Sequence, residues 1–103
     1  MTENAQKVYS LIKQIPKGKI TTYKIVADTL GIKSYRAVGQ ILKRNPNATI
    51  VPCHRIVKSN GELGGYAGTN TLQKAKILEK EGIKISNGKI LDFEKFTHYF
   101  QKP

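Results

Sequence analysis

The chain has 103 residues, 39% of them apolar, which suffices for one small core and argues against both disorder and a two-domain chain. A single cysteine excludes an internal disulfide, one thiol and two distant histidines make no zinc-ligand cluster, and the N-terminal MTENAQKVYSLIKQIPKGK holds neither an export signal nor a membrane span. Eighteen Lys and Arg against seven Asp and Glu give a net charge of +11, so the expectation is a soluble cytoplasmic protein without metal, cofactor or membrane partner, drawn to polyanions such as nucleic acid.

Ala5, Val8, Tyr9, Ile12 and Ile15 recur at helical spacing until Pro16-Lys17-Gly18 ends the pattern, predicting a first amphipathic helix. Thr21 and Thr22 offer N-cap hydroxyls to a short second helix over 23–30, which Gly31 can close in the left-handed conformation. Ser34 can cap a third helix, in which Ala37, Val38, Ile41 and Leu42 share one face, Arg36, Gln40, Lys43 and Arg44 point elsewhere, and Asn45-Pro46 is the stop. Two short helices around Gly31-Ile32-Lys33, with cations on the second, fit a helix-turn-helix. Helical hairpins with no nucleic-acid role share that pattern. Likewise, all cations except Arg36, Arg44 and Arg55 are lysines spread along the chain, so a plain solvated surface competes with a binding patch.

Beyond Thr49-Ile50-Val51, Ser59-Asn60-Gly61-Glu62 signals a turn, and Gly64, Gly65 and Gly68 bracket Tyr66 in a loop. Its glycines allow either close backbone approach to a ligand or an ordinary turn with positive φ. A fourth helical stretch carries Leu72, Ala75, Ile77 and Leu78, runs to Glu81 and closes at Gly82. Ile83 and Ile85 before Asn87-Gly88, and Ile90 after it, predict a small hairpin. Phe93, Phe96 and Phe100 predict a last helical turn or two whose aromatic face seals the core. The fold class read from this pattern is mainly α with a small β-hairpin.

Chemistry concentrates in Pro52-Cys53-His54-Arg55-Ile56-Val57, where the only thiol is followed by an imidazole. A lone cysteine is most often a small buried hydrophobe. It becomes a nucleophile only as thiolate, a form that a neighbouring imidazole or positive charge favours. Adjacent side chains often diverge, so the dipeptide by itself does not make a catalytic pair.

PCHRIV resembles the active-site signature of the O6-alkylguanine-DNA alkyltransferases, also called methylated-DNA-protein-cysteine methyltransferases. Ile20-Thr21-Thr22-Tyr23, Arg36-Ala37-Val38-Gly39, Asn45-Pro46, Gly64-Gly65-Tyr66-Ala67-Gly68 and Glu81-Gly82 resemble further elements of that family in the same order, over about residues 5 to 85. The resemblance implies a winged helix-turn-helix domain that approaches the minor groove of double-stranded DNA as a monomer. There it would flip out an O6-alkylguanine nucleotide and move the alkyl group irreversibly to Cys53, once per molecule. Flipping is required because O6 lies within the stacked, paired base.

By the same resemblance, Cys53 is the acceptor, His54 the base working through a water, and Glu81 the carboxylate that orients the imidazole. Without it, Glu81 reads as a solvated helix-end carboxylate. Asn45 ties the recognition helix to the active-site segment. Arg36 is the finger that fills the vacated space in the base stack, and Tyr23, Ala37 and Arg44 join it at the DNA. On composition alone, Arg36 is a phosphate-contacting or solvated arginine and Tyr23 a core or surface aromatic. Tyr23, the backbone of Ile56, Tyr66 as an aromatic wall and the Ala67 amide form the guanine pocket. Some relatives carry a hydroxyl at the Ala67 position, which this chain lacks.

Many family members carry an additional N-terminal domain, whereas this chain begins almost at the first helix of the DNA-binding part, so residues 1–103 are expected to form a single DNA-binding and active-site domain. One rival reading is an alkyltransferase-like protein that recognises the lesion without removing the group. Such proteins replace the acceptor cysteine, commonly with tryptophan, and this chain keeps Cys53 and has no tryptophan. A thiol hydrolase lacks a recognisable oxyanion hole, and a winged-helix regulator leaves PCHRIV and the tyrosine-bearing glycine loop unexplained.

Overall fold

Helix α1 (Glu3–Ile12) forms where the apolar period is clearest, and it buries Ala5, Val8, Tyr9, Leu11 and Ile12. The computed structural model describes residues 3–44, 53–63 and 71–100, with Cys53 and residues 71–73 described by their backbone. Ile15, one turn past the end of α1, is also buried, and the chain then turns at Gly18 with φ +85°. A side chain there would need a left-handed backbone and would place Cβ 3.3 Å from the Glu81 carbonyl oxygen, so glycine lets this turn lie against the end of a later helix.

Strand β1 (Thr21–Thr22) leads directly into α2 (Tyr23–Leu30). The Thr22 hydroxyl accepts from the Ile25 amide at 3.0 Å, and Gly31, at φ +71°, closes the helix as its spacing predicts. Ser34 caps α3 (Tyr35–Lys43) by accepting from Ala37 N at 3.4 Å. The Tyr9 hydroxyl donates to the Ile41 carbonyl at 2.8 Å and ties α1 to α3. Helix α3 ends at Lys43, ahead of Asn45-Pro46, which lie outside the described residues.

A one-turn 3-10 helix (Cys53–Arg55) runs into β2 (Ile56–Val57), which pairs in parallel with β1 in the register Thr21 to Ile56 and Thr22 to Val57. Successive strand residues face opposite ways. Ile56 therefore joins the core built from α1, α2 and α3, while Val57 joins a second cluster with Ile20, Leu63, Leu78, Ile83 and Ile90. The PCHRIV segment thus continues into the seam between two cores.

The turn signal at Ser59 to Glu62 is realised, with Lys58 N donating to Glu62 O at 2.9 Å and Gly61 at φ +90°. Helix α4 (Thr71–Lys80) is followed by the hairpin β3 (Ile85–Ser86) and β4 (Lys89–Ile90), which turns at Asn87 and Gly88, both at positive φ. The aromatic end forms the expected helical turn, but Phe100 lies outside it. Helix α5 (Phe93–Phe96) is a single turn, because Thr97 is extended and bridges in parallel with Ile20, and His98 N donates to Ile20 O at 2.6 Å. Phe93 and Phe96 pack on the second cluster and Phe100 on the first, so the three rings serve two cores rather than one face. The described molecule is helix-dominated, and none of its described helices is long and apolar enough to cross a membrane.

Candidate functional site

Three side chains from two segments meet at the junction of these cores. The 3-10 turn puts His54 and Arg55 at its end, and the residue after α4 supplies Glu81. His54 Nε2 lies 3.2 Å from Glu81 Oε2. Arg55 meets the same carboxylate with one edge of its guanidinium, Nε donating to Oε1 at 3.0 Å and Nη2 to Oε2 at 2.6 Å. Its Nη1 donates to the Ile15 carbonyl at 2.9 Å. The side chains of His54 and Glu81 are each 10% exposed and that of Arg55 16%, so water screens these charges little.

Burial lowers the His54 pKa below the ordinary 6.5, and the charges of Arg55 and Lys74 push the same way. The hydrogen bond and charge of Glu81 oppose this without cancelling it. For Glu81, burial acts to raise the carboxyl, but the hydrogen bonds from Arg55 and His54 prevail and hold it below 4.5. A neutral imidazole beside an ionised carboxylate follows. With Nε2–H directed at Glu81, Nδ1 is the basic nitrogen of the ring.

Lys74 is the other charged group of this region and is fully buried. Its Nζ donates to the Ile56 carbonyl, so the lysine holds the strand that follows Cys53-His54-Arg55. Neither Arg55 nor Lys74 stands out as a functional residue in the sequence. The available signals were the place of Arg55 inside PCHRIV and the spacing of Lys74 four residues before Leu78, which puts it on the apolar stripe of α4.

The residues read as DNA-contacting gather elsewhere, along α2 and α3. Arg36 and Arg44 are exposed, and Ala37 is half-buried on the first turn of α3. Tyr23 is half-buried with its ring edge close to Gly39, where an added Cβ would sit 3.9 Å from Cε1. Tyr23, Tyr35, Arg36 and Gly39, together with Lys58 and Asn60, line an open cleft of about 760 Å³. The Ile56 side chain is in the core and its carbonyl is engaged by Lys74. Asn45, Tyr66 and Ala67 lie outside the described residues, as does the side chain of Cys53. Among the described residues, no three His, Cys, Asp or Glu side chains are grouped to hold a metal ion.

Known proteins resemble this arrangement over most of the chain. A methylated-DNA-protein-cysteine methyltransferase of Candida glabrata is 44% identical over 89 residues, covering 85% of this chain and 42% of that protein. One from Saccharolobus solfataricus is 49% identical over 78 residues, covering 76% of this chain and 50% of that protein. Among solved structures, S. pombe Atl1 in complex with damaged DNA containing O6-carboxymethylguanine superposes with a TM-score of 0.82 at 32% identity, covering 95% of this chain and 96% of that one. Mycobacterium tuberculosis OGT in complex with DNA superposes at 0.73 with 39% identity, covering 79% of this chain and 50% of that one. The chain therefore spans about half of the methyltransferases it resembles and nearly all of the Atl1 chain. Residues 3–83 match the 6-O-methylguanine DNA methyltransferase, DNA binding domain family, and the chain belongs to that family.

Proposed function

We propose that this protein repairs O6-alkylguanine in double-stranded DNA by moving the alkyl group to Cys53, once per molecule. The observation that carries the reading is the buried hydrogen bond between His54 and Glu81, immediately next to Cys53 in the chain. A neutral imidazole with an oriented acceptor nitrogen is the form a general base needs. The Cys53 Sγ proton passes through a water to His54, and the sulfur electron pair forms a bond to the alkyl carbon. The carbon–O6 bond breaks with its electron pair on oxygen, and the resulting guanine anion takes up a proton. The thioether is stable, so the protein is consumed.

On this reading, α2 and α3 are the helix pair of a winged helix-turn-helix that enters the minor groove, with residues 1–103 acting as one domain and as a cytoplasmic monomer. Arg36 fills the gap left by the flipped nucleotide, and Tyr23, Ala37 and Arg44 contact the DNA. Tyr23, the Ile56 backbone, Tyr66 and the Ala67 amide hold the base, while Asn45 supports the active-site segment. Support comes from the exposure of Arg36 and Arg44 and from the place of Arg36 in the lining of the cleft.

A second reading, lesion recognition without transfer, is favoured by the structural likeness to Atl1, at a TM-score of 0.82, which was crystallised with damaged DNA. One experiment separates the two. Protein mixed with a duplex containing one O6-methylguanine is analysed by intact and peptide mass spectrometry, with Cys53→Ala as control. Transfer predicts one methyl group per protein on the Cys53 peptide and guanine restored in the DNA. Damage-selective binding with unmodified Cys53 establishes the lesion sensor instead.

A further inference from the structure

Arg55 makes three hydrogen bonds to two other segments, more than any role read from the motif requires. We propose that Arg55 is a positioning residue of the site, whose guanidinium fixes Glu81 against the turn that follows α1 and shares Oε2 with His54, so that Glu81 orients the imidazole without holding it as a cation. The proposal deepens the transfer reading, in which His54 is the base, and rests on it.

The geometry supplies the reason. Oε2 is 2.6 Å from Arg55 Nη2 and 3.2 Å from His54 Nε2, so the closer guanidinium takes the larger share of that oxygen's charge. A guanidinium is permanently charged and planar, and its Nε and Nη2 edge matches both carboxylate oxygens at once. A carboxylate acting alone on a buried imidazole favours the imidazolium. An imidazolium cannot accept the proton that leaves Cys53.

Arg55 changes that balance without removing the carboxylate. The charged groups facing His54 are Glu81 on the negative side and Arg55 and Lys74 on the positive side. Burial acts with the two cations, and the ring stays neutral until it takes the thiol proton. Once it does, Glu81 is already aligned with Nε2 to stabilise the new charge. The third bond, to Ile15 O, ties this alignment to the turn that follows α1.

The test is an NMR titration of His54 in the full chain, assigned against His54→Gln. It compares wild type, Arg55→Gln and Arg55→Lys, and repeats the Arg55→Gln change in a Glu81→Gln background. Arg55→Gln is expected to raise the His54 midpoint by roughly one pH unit, because Glu81 then acts on the imidazole alone. Arg55→Lys keeps the charge but cannot match both oxygens, and is expected to raise the midpoint by less. In the Glu81→Gln background the effect of Arg55→Gln is expected to fall to less than about half.

An unmoved midpoint in Arg55→Gln overturns the proposal. So does an equal rise in both backgrounds, which is what simple loosening and hydration of the site would produce. Should Arg55→Gln fail to fold, an Arg55→Lys midpoint equal to wild type overturns it as well. The titration requires no alkyl transfer, so a chain that only senses lesions still gives the expected midpoints, and a competent transferase with an unmoved midpoint defeats this proposal alone.

Discussion

Around Glu81, charge is buried and shared: one carboxylate serves Arg55 and His54, and none of the three side chains is more than 16% exposed. Along α3, Arg36, Lys43 and Arg44 are exposed, and among the described residues none of them is in an ion pair. The buried cluster depends on Glu81, because removing that carboxylate leaves the Arg55 charge with little water and the Ile15 carbonyl as its remaining hydrogen-bond partner among the described residues. The exposed face depends on its sum, because each cation is hydrated separately and remains available to a polyanion. On the proposed function, the first region would hold a proton-transfer geometry and the second would meet a charged surface.

The strongest way to break this contrast is to remove the shared carboxylate. Glu81→Ala is expected to cost about 3 kcal/mol of stability, read from urea unfolding, because Arg55 and His54 lose their common partner. Arg36→Ala is expected to leave the urea midpoint unchanged, since Arg36 is exposed. A stable Glu81→Ala protein would mean that the cluster tolerates water and is not the tightly coupled unit described above.

The second test inverts the readout. In a fluorescence anisotropy titration, Arg36→Ala should weaken binding to a lesion-bearing duplex about tenfold if the side chain occupies the vacated stack. Binding of wild type to undamaged duplex should fall at least about tenfold between roughly 50 and 200 mM salt. The buried cluster should hardly respond to the same salt change. Salt-independent DNA affinity would detach the +11 charge from phosphate contact.

The smallest expected effect is acid sensitivity, and its sign follows from the two lowered pKa values. His54 is held below 6.5, so the unfolded chain binds its proton first, and the stability it contributes is complete above 6.5 and lost as pH falls through the lowered value. Glu81 contributes fully above 4.5 and loses that contribution on further acidification. Unfolding free energy should therefore drop between pH 7 and pH 5, and His54→Gln should flatten that part of the curve. A wild-type profile that is flat there would show that His54 is hydrated in the native state.

Much of the local structure was legible because it depends on near neighbours in the chain. Thr22 and Ser34 cap the helices they precede, Gly31 closes α2, and Asn87-Gly88 turns the hairpin, all within a few residues. The pairing of β1 with β2 was not legible, since two-residue strands leave no alternation to detect and their partners are 35 positions apart. The same limit applied to the aromatic end. Phe93, Phe96 and Phe100 have helical spacing, but pairing of the following backbone with Ile20 draws the chain out of the helix.

The site divides along the same line. By itself the sequence determined the kind of chemistry on offer: one thiol, the adjacent imidazole, an excess of cations and a family signature that named His54 and Glu81 together. Only the tertiary structure decided that Glu81 is a buried, shared carboxylate rather than a solvated one, that Arg55 is its second partner, and that Lys74 is buried beneath the strand after the motif. Residue types and local spacing set what a side chain is able to do, whereas burial and charge sharing arise only when segments distant in sequence pack together and exclude water.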